Sequence, residues 1–116
     1  MDSERFTRMA AACCLTKKAV DVCTLDLRGL TSMTDFFVIC HGDSDAQVKA
    51  IADAVIEGMR REGGAVWHCE GYEHLNWVLL DYVDVVVHVF RKEARAFYNL
   101  ERLWGDAPSE SVQDAA

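Results

Sequence analysis

Asp81 and Asp84 are the first residues whose type and spacing could do chemistry. Two carboxylates around a strand–turn–strand can hold a hard cation. The same pair also suits a solvated hairpin turn, where aspartate is favoured for local hydrogen bonding. His88 stands alone in the apolar run Val85-Val86-Val87-His88-Val89-Phe90. A single histidine on a strand reads as a hydrogen-bonded structural residue or a surface contact more readily than as a general base. His68, Cys69 and His74 have zinc-ligand chemistry, but their spacing matches no standard finger and the ligand set is incomplete. The chain has 5 cysteines, an odd number without a C-x-x-C pair, and most sit in apolar runs. They read as reduced, largely buried thiols.

Gly42-Asp43-Ser44 lies between an apolar run and a helical pattern, a place where helix N-termini bind anions. Nucleotidyltransferases carry a Gly-Ser element there, and they also need paired acids on a neighbouring strand to hold metal ions. No D-x-D falls on any expected strand; Asp43-x-Asp45 is at the helix cap. A nucleotidyltransferase-like, nucleotide-binding enzyme is therefore the alternative reading. No P-loop, G-x-G-x-x-G or nucleophile elbow is present. Trp77 begins a strand pattern with Leu79 and Asp81 on one face and Val78, Leu80 and Tyr82 on the other. If that face is uncovered, Trp77 and Leu79 make an apolar anchor rimmed by Glu70, Asp81 and Asp84, the composition of a protein-binding hot spot. If it is covered, Trp77 is simply core.

The elements that position these residues follow from periodicity. Residues 3–19 carry an apolar stripe at helical spacing. Residues 21–27 alternate as a strand, with Cys23, Leu25 and Leu27 sharing a face. Residues 36–40 are continuously apolar and predict a central strand buried on both faces. Ser44 with Gln47 forms a capping-box pattern that opens a helix reaching about residue 62, where Gly63-Gly64 stops it. Strands are predicted at 65–71, 77–82 and 85–90, the last two joined by a tight turn at Val83-Asp84. A final helix spans 92–104, with Phe97, Leu100 and Leu103 or Trp104 inward. The order α-β-β-α-β-β-β and a closing helix predicts an α/β domain with a mixed five-stranded sheet flanked by helices. Residues 1–105 make one domain, and 106–116 are expected to be a disordered tail.

At 116 residues the chain can bury one core. No apolar stretch reaches bilayer-spanning length, and no signal peptide is read at the start, so a bacterial-type cytoplasm, or else an organelle matrix, is the expected location. The net charge of −7 argues against a protein that binds nucleic acid through phosphate neutralisation. It suits a basic protein partner, whose encounter it would accelerate.

Taken together, Lys18-Ala19-Val20-Asp21-Val22, Leu25-Asp26-Leu27, Thr34-Asp35-Phe36-Phe37-Val38-Ile39-Cys40, Gln47-Val48-Lys49-Ala50-Ile51-Ala52-Asp53, Glu70-Gly71, Trp77-Val78-Leu79-Leu80-Asp81-Tyr82, Asp84-Val85-Val86-Val87-His88-Val89-Phe90 and Phe97-Tyr98-Asn99-Leu100-Glu101-Arg102-Leu103-Trp104 resemble the ribosomal silencing factors of the RsfS/Iojap family. They occur in order and cover nearly all of the chain before the tail. The resemblance implies a sheet similar to that of nucleotidyltransferases without the catalytic residues, and no cofactor. It implies binding to uL-fourteen, a basic protein of the large ribosomal subunit, which sterically blocks joining of the small subunit and represses translation. It also implies a possible homodimer, and a partner surface matching Trp77, Leu79, Asp81 and Asp84, with Glu70 alongside. Many members have glycine where this chain has Val83, a residue that disfavours positive φ; a different turn type is expected there.

Overall fold

The computed structural model describes residues 2–113 of the chain. Its elements run α1 (Ser3–Leu15), β1 (Val20–Asp26), β2 (Phe36–Gly42), α2 (Asp45–Arg61), β3 (His68–Glu70), β4 (Trp77–Asp81), β5 (Val85–Arg91), α3 (Lys92–Tyr98), α4 (Leu100–Leu103) and β6 (Ser109–Ser111). The sheet order is β3-β4-β5-β2-β1-β6. β2 and β5 pair in parallel, and the other neighbours pair antiparallel. The mixed α/β domain expected from the sequence is present, with six strands where five were expected.

The sixth strand comes from the expected tail. Ser109–Ser111 pairs with the outer edge of β1, while Asp26 N–H donates to Pro108 O and Val112 N–H to Val22 O. Without them β1 would present unpaired backbone groups at a sheet edge. Ala107 is buried just ahead of the strand. Short, polar β6 has no apolar alternation, so nothing in its own residues announces a strand. The end of the expected tail, 114–116, lies outside the described residues.

The first face of the sheet carries the main core. Val22, Val38, Cys40, Val78, Leu80, Val85, Val87 and Val89 meet Ala10, Ala11 and Cys14 of α1 and Val48, Ile51, Ala52, Val55 and Met59 of α2. The helical spacing of those α2 residues puts them on one stripe. β2 and β5 are central and nearly all buried, which is why they read as unbroken apolar runs. α2 ends in a Schellman turn: Gly64 N–H donates to Met59 O and Gly63 N–H to Arg60 O, with Gly63 at φ 89°.

The second face is covered over β1, β2 and β5 only. Leu25, Leu27, Ile39 and Phe90 there meet Ala94, Leu100 and Ala107, and Phe37 and Trp104 pack at the margin. Arg95 fastens this cover. Its largely buried guanidinium donates to Val20 O at 3.2 Å, lies 3.0 Å from His41 Nδ1, and pairs with Glu101 at 3.3 Å.

Three elements depart most from the sequence reading. α1 ends four residues early, because Thr16 Oγ1 donates to Cys13 O and the chain then turns through Lys18 at φ 59°. β3 is three residues long, although Trp67 N–H still donates to Asp81 O. The final helix is broken at Asn99, which takes the left-handed conformation (φ 47°, ψ 58°) that asparagine tolerates. Phe97, expected inward, is 81% exposed; of the two alternatives Leu103 and Trp104, Leu103 is 73% exposed and Trp104 packs inward, and Leu100 is buried as expected. Among the described residues no helix is long and apolar enough to cross a membrane.

Candidate functional site

Register decides what the second face presents. Across β3, β4 and β5, Glu70 lies opposite Leu79 and Leu79 opposite His88, while His68 lies opposite Asp81 and Asp81 opposite Val86. Trp77 lies opposite Phe90. Residues directly opposite one another share a face, so Glu70, His68, Trp77, Leu79 and Asp81 project from one side of the sheet. Phe90 and His88, on β5, are covered by the α3–α4 corner or by neighbouring rings. Toward the β3 edge that cover ends: Trp77, Leu79 and Asp81 are partly exposed and Glu70 and His68 exposed.

Trp77 is therefore neither plain core nor free surface. Its ring packs 4.9 Å from Phe90 and 4.6 Å from Tyr98, centroid to centroid, and its Nε1–H donates to His88 Nδ1 at 3.1 Å. Phe37 meets His88 edge-on at 4.4 Å, and Trp104 meets Phe37 at 6.0 Å. The result is an aromatic band across the second face from Tyr98 to Trp104. At its Tyr98 end, exposed Phe97 stands against Tyr98 at 5.1 Å. Phe97 and Tyr98 were not singled out from the sequence as surface residues, because an unbroken helix would have turned Phe97 inward; the Asn99 next to them was the available signal.

The carboxylates flank the band unequally. Glu70 sits 3.5 Å from His68 Nε2, exposed on the edge strand. Asp81 Oδ1 accepts from Val83 N–H at 2.7 Å, so that carboxylate also braces the turn. Asp84 is exposed in the turn and is joined to the sheet through its backbone, its carbonyl accepting from Asp35 and Phe36 N–H. Val83 takes φ 74° despite its branched side chain, and Asp84 N–H bonds Tyr82 O across it. That is a γ-turn, the strained form of a three-residue turn. The turn thus holds valine at a positive φ that its branched side chain disfavours.

The other sequence candidates are placed elsewhere. His74 lies in the 71–76 loop, and among the described residues no group of three or more His, Cys, Asp or Glu could hold a metal ion. At the α2 N-terminus three donors bond within the chain: Gln47 N–H bonds Ser44 Oγ, Asp43 N–H bonds Gln47 Oε1, and Gln47 Nε2 donates to Lys18 O. Asp45 is paired with Arg91 at 2.6 Å. The helix end is thus capped in part by its own chain.

The residues 1–116 match the family model described as "Ribosomal silencing factor during starvation". The chain is 47% identical over 108 residues to the ribosomal silencing factor RsfS of Bacillus subtilis, covering 93% of this chain and 92% of that protein. It is 39% identical over 90 residues to the chloroplastic protein Iojap of Zea mays, covering 78% of this chain and 39% of that one. Among solved structures, a Chromobacterium violaceum protein superposes with a TM-score of 0.89 at 34% identity, covering 100% of this chain and 97% of that chain. A Bacillus halodurans protein gives 0.83 at 42% identity, covering 94% and 99%.

Proposed function

The chain belongs to the ribosomal silencing factor (RsfS/Iojap) family, and from that membership we propose that it docks on uL-fourteen of the large ribosomal subunit and stands in the way of the small subunit, repressing translation in the cytoplasm. The observation that supports this most is the uncovered end of the second sheet face, where partly exposed Trp77 and Leu79 are flanked by Glu70 and Asp81, with Asp84 exposed in the turn that follows β4. An aromatic anchor in an apolar strip with an ionic rim is how hot spots are built. The −7 net charge favours a basic partner and speeds the encounter. Phe97 and Tyr98 extend the strip beyond β4. A second copy of the chain would use the same apolar strip, so a homodimer and the ribosomal complex would compete.

The test is co-sedimentation with isolated large subunits, followed by addition of small subunits. The protein pellets with large subunits and lowers the yield of joined ribosomes. Trp77→Ala, still folded by circular dichroism, weakens binding by about 1 kcal/mol or more, roughly fivefold. A folded Trp77→Ala that binds normally places the docking face elsewhere. A wild-type protein that stays in the supernatant at physiological salt refutes the function itself.

A further inference from the structure

We infer that His88 is the positioning residue for Trp77: its Nδ1 selects which edge of the indole the protein presents on the second sheet face. The docking half of this inference rests on the function proposed above; the positioning half does not.

His88 lies on β5 opposite Leu79, one register step diagonal to Trp77 on β4. The indole Nε1–H reaches His88 Nδ1 at 3.1 Å. An indole nitrogen only donates, so Nδ1 carries the lone pair and the ring proton sits on Nε2. No group among the described residues accepts from that buried Nε2–H. The imidazole is 3% exposed, with Phe37 edge-on at 4.4 Å and Phe90 stacked at 6.2 Å.

A phenyl ring would fill this aromatic slot without burying two ring nitrogens, one of them unpartnered, and a buried polar atom without a partner is destabilising. Packing therefore gives no reason for histidine here. What imidazole adds is one fixed acceptor aimed at Trp77.

Trp77 needs such an acceptor because stacking alone does not orient it. Its contacts with Phe90 and Tyr98 are tilted, with 32° and 45° between ring planes, and an indole rotated by half a turn keeps most of that area. A hydrogen bond is directional and breaks the tie. The edge bearing Nε1 is then held inward on His88, and the opposite edge is left for a partner. Burial keeps His88 neutral down to about pH 3, so the acceptor persists throughout the physiological range. An anchor already held in one rotamer loses less conformational freedom on binding.

The test uses the full chain labelled with nitrogen-15, with two variants. His88→Phe keeps an aromatic ring and removes the acceptor. His88→Asn places Oδ1 near the position of Nδ1. The Trp77 indole N–H is identified by its loss in Trp77→Phe. In His88→Phe it exchanges with water at least tenfold faster, and the affinity for large subunits falls about three- to tenfold, the scale of one side chain's lost ordering. His88→Asn recovers both. Unchanged indole exchange in His88→Phe overturns the positioning role; faster exchange with unchanged affinity overturns its part in docking. If neither variant folds, the nitrogen-15 signals of the wild-type His88 ring decide, since a proton on Nδ1 overturns the inference. Failure of the wild-type chain to pellet with large subunits overturns the proposed function and the docking half together, while indole exchange still judges the positioning half.

Discussion

Replacing Gly71 by alanine places a methyl group where β3 turns away from β4. Gly71 has φ 79°, and an added Cβ would overlap the carbonyl oxygen of Trp77 while lying 3.0 Å from its carbonyl carbon and 3.6 Å from Val78 Cα. Two costs combine. Left-handed backbone costs an L-residue about 1–2 kcal/mol, and forcing a methyl into a packed site costs about 1–3 kcal/mol more. Alanine restricts the unfolded chain, which returns about 0.4–1 kcal/mol. The net loss comes to about 1–4.5 kcal/mol, or about 3 at mid-range. Gly63 separates the terms: its φ is 89°, but an added Cβ meets nothing within 4 Å. Gly63→Ala should therefore lose only about 1 kcal/mol, the conformational term less the unfolded-state gain. Urea denaturation of both variants reads the difference. With a slope of about 2 kcal/mol per molar for a small protein, a loss of about 3 kcal/mol lowers the Gly71→Ala midpoint by about 1.5 M. If Gly71→Ala loses no more than Gly63→Ala, the close approach of Gly71 to the Trp77 carbonyl is wrong, and with it the placement of the 71–76 loop beside β4.

Two further predictions concern the same region. Val83→Gly relieves the positive φ of the γ-turn, about 1–2 kcal/mol, against about 0.5–1 kcal/mol of added chain entropy, and Val83 is 53% exposed, so little burial is lost. The variant should melt a few degrees higher than wild type; a lower melting temperature would show that valine is unstrained there. His88 protonates near 6.5 when unfolded and at about 3 when folded. Between those values the unfolded chain binds the extra proton, so stability is full above pH 6.5 and falls as pH drops, approaching about 1.4 kcal/mol per pH unit for this group. His88→Phe should lack that component, which parallel urea titrations at pH 7 and pH 4.5 will show as a smaller pH-dependent loss than in wild type.

Much of this protein was legible in one dimension. Periodicity located both long helices and the strands of the sheet's centre, because β2 and β5 are buried on both faces and α2 on one stripe, and such burial writes itself as an apolar pattern. The ordered motifs identified the family. Alternation along 77–82 put Trp77, Leu79 and Asp81 on a common face, but it left open whether that face was covered. Coverage depends on where α3 and α4 end, and the left-handed residue Asn99 separates the two, with Phe97 and Leu103 left exposed on either side of it. The sixth strand was invisible for a similar reason: Ser109–Ser111 has no apolar period, and it is a strand because β1 offers it an edge. His88 looked like an isolated structural histidine, since its partner Trp77 is eleven residues away and meets it only through antiparallel register. Local pattern records which residues leave water. Which half-buried residues remain for a partner is decided by the ends of the covering elements and by register between strands, and both exist only once the chain is folded.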